Sequence, residues 1–378
     1  MPLIKPTDGM KINIGTLLLL CFSLLSFSQE ENDTQVVAID VNYMYGVIAN
    51  HNSNILHLIT GHPEGVLVSW NRKTFGKQKW EQRFNYPDVG ASFLYQDFKN
   101  EYLGENYSLY GHFNFYFLKR NITFRAGQGI TYATNPYDRY SNNRNVAFGS
   151  RLLSSTYLML NYKKERLFKS RFGIQAGVTL THYSNANIKA PNTSINTISA
   201  NIGVTYSLVD ETKKEYIKRE KDSLRVREPI QYNIAFRGGV NQGDVIGTKQ
   251  YPFYIASFYA DKRVGNVSAI QMGADVFFSN FLKEEIKFNS IAYPEKEVDP
   301  DTDYKRVGVF IGHELFINKM SLITQFGYYV YYPYEFETRI YERIGVKRYF
   351  GDKTFASVTL KAHAAAAEAL EFGIGIRL

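Results

Sequence analysis

Residues 171–185 read Arg171-Phe172-Gly173-Ile174-Gln175-Ala176-Gly177-Val178-Thr179-Leu180-Thr181-His182-Tyr183-Ser184-Asn185. Side chains of a β-strand alternate between its two faces. Phe172, Ile174, Ala176, Val178, Leu180, His182 and Ser184 therefore share one face, and Gly173, Gln175, Gly177, Thr179, Thr181 and Tyr183 share the other. The apolar column is the one that ends in an imidazole and a hydroxyl. A soluble protein would hide that column in a core. In a membrane barrel it faces lipid, and the pair is presented to the bilayer, an arrangement suited to attack on a lipid.

The rest of the chain fits a barrel. Its 378 residues include 29 Tyr and 27 Phe, and aromatic residues make up 15% of the total. A barrel crosses a membrane with strands of about 9–11 residues that are apolar only at every second position. Its mean hydropathy therefore stays low, as the value of −0.29 does here. Lys11, the apolar run Ile14 to Leu25 and the small residues Ser26 and Ser28 read as a secretory signal over residues 1–28. The one cysteine, Cys21, lies inside it. The mature chain, 29–378, then carries no thiol for a disulfide or a metal site. The net charge of +8 is spread without a basic block, so nucleic acid is not an expected partner.

Candidate strands recur along the whole mature chain, each of about ten residues followed by a turn. They fall near 35–47, 64–72, 90–99, 107–118, 121–133, 151–163, 171–184, 196–208, 229–241, 251–261, 267–279, 305–316, 319–332, 336–349, 354–364 and 369–378. The expectation is all-β: one antiparallel transmembrane β-barrel of about 14–16 strands, within a range of roughly 12–16. Tight turns at 118–122, 262–266, 316–319 and 350–353 fall on one side if strands alternate up and down. The long loops 134–150 and 280–304 fall on the other. Outer-membrane barrels keep short turns in the periplasm and long loops outside, so His182 and Ser184 are expected at the outer rim. The segment Val209–Glu228, with 13 charged residues in 20, reads as a solvated connection.

A serine is a weak nucleophile until a base takes its proton, and the base needs a third group to hold its tautomer. His182 and Ser184 stand about 7 Å apart on one face, within reach of each other through suitable rotamers. The next strand carries an outward column headed by Asn196, which is placed to accept the imidazole N–H. The expected catalytic set is thus Ser184, His182 and Asn196.

His182-Tyr183-Ser184-Asn185, followed by Pro191-Asn192 and the strand segment Asn201-Ile202-Gly203, resembles the lipid A 3-O-deacylase family of outer-membrane barrels, also called acyloxyacyl hydrolases. Asn142-Asn143-Arg144-Asn145 with Phe148-Gly149-Ser150 is similar to the longer branch of that family. The specific resemblance spans about residues 120–208. It implies an esterase that removes an ester-linked acyl chain from lipid A of lipopolysaccharide in the outer leaflet, without cofactor or metal. Ser184 would be nucleophile and His182 general base, with Asn185 and Asn192 at the oxyanion and substrate. The chain departs from the family at Asn196, where better-known members carry an acidic residue.

The rival expectation is a passive porin-like or structural outer-membrane barrel whose rim carries these residues by chance. His112 and His313 lack partners at metal-ligand spacing. Trp70, Trp80 and Tyr331-Tyr332-Pro333-Tyr334 read as an interfacial aromatic belt. Gly127-Gln128-Gly129 follows a strand but opens no helix, so it makes a poor nucleotide loop. The residues carry no signal for an oligomeric state.

Overall fold

The computed structural model describes residues 35–209, 215–219, 228–243, 245–364 and 366–378. The expected signal 1–28 lies outside them, as does most of the charged run 209–228. Among the described residues, sixteen antiparallel strands follow closely where the alternation placed them. They are β1 Val37–Ile48, β2 Glu64–Arg72, β3 Asp88–Asp97, β4 Glu105–Phe117, β5 Ile122–Ala133, β6 Leu152–Lys164, β7 Phe172–Ser184 and β8 Ile195–Ser207. After the charged run come β9 Gln231–Asn241, β10 Tyr251–Arg263, β11 Ser268–Ser279, β12 Arg306–Ile317, β13 Met320–Tyr331, β14 Ile340–Phe350, β15 Thr354–His363 and β16 Ala366–Arg377.

They do not close as one barrel of 14–16 strands. β8 pairs back onto β1, from Ala38↔Ser207 to Ile48↔Thr197. β16 pairs onto β9, from Phe372↔Gly238 to Arg377↔Asn233. The result is two closed barrels of eight strands each. Period-two alternation fixes which face of a strand is apolar; it is blind to which strand closes the sheet. The run 209–228, read as a connection on the short-turn side, is the link between the barrels.

Eight strands enclose a space that side chains fill. In the first barrel Arg125 forks onto Asp40 (Nη2 to Oδ2 2.7 Å, Nη1 to Oδ1 3.1 Å) and donates to Asn114 and Ser69. In the second, Arg343 donates to Glu371 (2.6 Å) and Asp275 (2.8 Å), and Lys347 donates to Glu314 (2.8 Å). A buried charge is tolerated only when paired and hydrogen-bonded, and these are. Such packed interiors leave a porin-like lumen no room. The outer walls are apolar: Val178, Leu180, Ile198 and Ile202 on the first barrel, Phe236, Phe258, Ile311 and Phe372 on the second, are exposed. Tyr332 departs from the expected aromatic belt, being buried and stacked on Tyr329. Among the described residues no helix is long and apolar enough to cross a membrane; the strands are what cross.

Candidate active site

The order His-Tyr-Ser builds the site through alternation. Tyr183 points inward and is fully buried, donating to Gln96 Oε1 at 2.5 Å. Its ring meets Phe98 edge-on and Phe148 near-perpendicularly, at centroid distances of 5.7 and 6.4 Å. These rings belong to an apolar cluster with Ile48, Ile55, Leu58, Leu103, Leu153 and Ile195 at the mouth of the first barrel. With Tyr183 anchored inside, its neighbours His182 and Ser184 must face outward, in the column of Val178 and Leu180. β7 ends at the same barrel end as the long loop between β5 and β6. The turns between β4 and β5, β10 and β11, β12 and β13, and β14 and β15 lie at the opposite end of their barrels.

His182 and Asn196 are partners in the β7–β8 register, and His182 Nδ1 lies 2.7 Å from Asn196 Oδ1. A carboxamide oxygen only accepts, so Nδ1 carries the proton and a neutral ring leaves Nε2 as the base. Ser184 is bound differently. Its Oγ donates to Asn192 Oδ1 (3.1 Å) and accepts from the Ala186 N–H (3.0 Å). Asn192 Oδ1 also accepts from the Asn185 N–H at 2.9 Å, and Asn185 Nδ2 donates to Lys189 O at 2.6 Å. Of the expected residues, His182 and Asn196 meet directly, and Ser184, Asn185 and Asn192 form a second group. Among the described residues no hydrogen bond joins His182 to Ser184. Asn192 faces the serine with its oxygen, whereas an oxyanion needs a donor.

The loop 185–194 between β7 and β8 is held from three sides. From the β5–β6 loop, Gly149 approaches so closely that a Cβ there would stand 2.4 Å from Lys189 O and 2.6 Å from Pro191 O. The Thr193 N–H donates to Val146 O in the same segment (3.2 Å). Asn145, flagged in the sequence, shapes that segment by accepting from the Ala147 and Phe148 N–H groups (3.1 and 3.0 Å). From the β1–β2 loop, His51 lies with Nδ1 3.1 Å from Ala49 O and Nε2 3.1 Å from Thr193 O.

The third support comes from the other barrel. Gln242, buried at the end of β9, donates its backbone N–H to Asn187 O (3.0 Å) and accepts the Ala190 N–H on Oε1 (3.1 Å). Gln250 Nε2 donates to Ile188 O (2.8 Å). Neither His51 nor Gln242 was legible as a site residue, because each acts through a loop contact far away in sequence.

A neutral imidazole with a fixed tautomer, a hydroxyl one position along the same column and amide groups around that hydroxyl are the parts needed for acyl transfer. All of them sit at the head of an apolar, outward-facing column.

Two family models match the chain. Residues 64–205 match the one described as Lipid A 3-O-deacylase (PagL), and residues 230–378 match Acyloxyacyl hydrolase, C-terminal domain. Each match lies largely within one of the two barrels. No curated protein is similar enough to match. Among solved structures, the Acinetobacter baumannii outer membrane protein Omp33 is 9% identical, covering 91% of this chain and 98% of its own, at a TM-score of 0.18. A triple mutant of the Rhodopseudomonas blastica porin is 9% identical, covering 90% and 100%, also at a TM-score of 0.18. Likeness at that level carries no argument; the fold stands on its strand pairing.

Proposed function

Because this chain belongs to the lipid A 3-O-deacylase (PagL) family, we propose that it hydrolyses an ester-linked acyl chain of lipid A in the outer leaflet, with Ser184 as nucleophile. Residues 1–28 would direct the chain through the periplasm to the outer membrane and be removed. The placement of short turns opposite the site supports an outward-facing mouth.

The observation that carries the reading is the 2.7 Å contact of His182 Nδ1 with Asn196 Oδ1, on the same outward column as Ser184. Rotating Ser184 about χ1 turns Oγ from Asn192 toward His182 Nε2; catalytic hydrogen bonds often tighten only once substrate is bound. Nε2 takes the serine proton as Oγ bonds to the ester carbonyl carbon. The rotation also frees the Ala186 N–H. That donor can hold the oxyanion that develops, while Asn192 Oδ1 stays on the Asn185 N–H and keeps the loop in shape. The tetrahedral adduct expels the sugar oxygen, which takes the proton from His182. Water, deprotonated by the same imidazole, then cleaves the acyl-serine and releases the fatty acid.

Asn196 accepts the imidazole N–H as a carboxylate would but adds no charge to stabilise the imidazolium. Reaction class is unaffected; rate is what it lowers. The test is the lipid A mass spectrum of a host producing the chain. A loss equal to one ester-linked acyl group is expected, and an unchanged spectrum with the barrel correctly inserted would reject the activity.

A further inference from the structure

At the end of the second barrel opposite its tight turns, three basic side chains crowd one carboxylate. Arg306 Nη2 lies 2.5 Å from Glu368 Oε1, Lys361 Nζ 2.5 Å from Glu368 Oε2, and His363 Nε2 2.6 Å from that same oxygen. All four residues are buried. The other buried ion pairs described in this barrel balance. Arg237 and Arg343 stand beside Asp275 and Glu371, and Lys347 beside Glu314. Arg306 and Lys361 share a single negative charge, so one cation is left over even with His363 neutral.

Two cations also meet one carboxylate in the first barrel, in a different setting. Lys73 and Lys163 lie 2.9 and 2.8 Å from Glu165, but the Glu165 side chain is 30% exposed, so water screens the surplus. Glu368 is only 4% exposed. A buried charge without a partner is costly. The rings of Phe277 and Tyr329, 4.6–5.6 Å from the two cations, offset part of that cost.

A cavity lies at this surplus, lined by Arg306, Lys361, Glu368, Ser279, Phe253 and Phe277. Among the described residues, Arg306 Nε is buried with no hydrogen-bond partner. Ser279 also marks the start of the helix Asn280–Ala292, which has neither a side-chain cap nor an acidic residue in its first turn. The first N–H groups of a helix lack partners within it and carry partial positive charge. Guanidinium, ammonium and helix start thus meet at one space, the combination that suits an anion.

We propose that this cavity binds a small inorganic anion of chloride size, held by Arg306 Nε, Lys361 and the start of the helix. The anion supplies the negative charge that Glu368 alone does not. The cavity has room for a guest of about water size, which admits a halide and excludes a phosphate or a carboxylic acid.

The test uses the full chain refolded in detergent. Crystals soaked in sodium bromide should show an anomalous peak in the cavity, beside Arg306 Nε. Replacing sodium gluconate by sodium chloride at constant ionic strength should raise the unfolding midpoint saturably, by about 2–4 °C, because an ion bound only by the folded state stabilises it. Gluconate is too large to enter. Arg306→Met and Lys361→Met each leave one cation for one carboxylate, and both should lose that rise. If either variant fails to fold, the wild-type peak and midpoint still decide. A rise that a folded variant keeps is a general salt effect and overturns the site, as does a cavity without bromide. A bromide peak with no rise in midpoint marks an adventitious ion only, and that too overturns the proposal.

Discussion

Gln242, on the second barrel, accepts the Ala190 N–H of the loop that carries Asn192, with 3.1 Å between Oε1 and N. The second barrel thereby reaches into the loop 185–194 of the first. Gln242→Ala removes that acceptor while both barrels keep their strands, and should slow fatty-acid release about three- to tenfold, as loss of one ordinary hydrogen bond would. Gln242→Glu retains an acceptor oxygen and should recover much of the rate. Equal initial rates for wild type and Gln242→Ala would make the contact a passive one.

Asn196 stands where the resemblance implies an acidic residue, and its Oδ1 lies 2.7 Å from His182 Nδ1. Asn196→Ala should lower turnover substantially, since losing the orienting group costs up to about 10⁴ in a trypsin-like enzyme. Asn196→Glu should match or exceed wild type, because a carboxylate also stabilises the imidazolium. Initial rates of fatty-acid release from purified lipopolysaccharide decide the point. An Asn196→Ala enzyme at full rate would reduce the residue to a polar group at the rim.

Gly149 bears on the site through space alone. With Lys189 O and Pro191 O 2.4 and 2.6 Å from the position of a Cβ, Gly149→Ala must push the loop 185–194 away. The variant should lose most activity, since displacement of about 1 Å can cost about 10² in rate. Its circular dichroism and heat-modifiable mobility should stay those of two folded barrels. Full activity would show that the loop tolerates the displacement.

Arg125 and Asp40 illustrate stability rather than catalysis. Arg125→Met strands a carboxylate inside the first barrel and should cost about 3–5 kcal/mol. Adding Asp40→Asn should restore part of that loss. Urea unfolding of detergent-refolded protein measures both, and an unchanged midpoint for Arg125→Met would mean the pair is not buried as described.

The sixteen strands were readable because one face of each is apolar, as in Ile174, Val178 and Leu180, so the pattern survives without knowledge of partners. Closure was not readable. Whether Ser207 meets Ala38 or a residue of β9 leaves no trace in alternation. The only hint was a charged run, too long for a periplasmic turn, standing midway along the strands. At the site, the His182–Asn196 contact followed from register, and the outward facing of Ser184 followed from parity. The Ser184–Asn192 bond did not, because loop 185–194 takes its shape from Gly149, His51 and Gln242.

The most direct test of the account is the fate of lipid A when Ser184 loses its hydroxyl. Ser184 is buried and its Oγ makes two hydrogen bonds in the loop, so Ser184→Ala should cost about 1–3 kcal/mol while the strand ladders are untouched, and the protein should insert and remain heat-modifiable. Mass spectrometry of lipopolysaccharide incubated with wild type should show loss of one ester-linked acyl chain, and with Ser184→Ala the intact species alone. Wild-type-like release by a folded, membrane-inserted Ser184→Ala protein would contradict the account and place the nucleophile elsewhere.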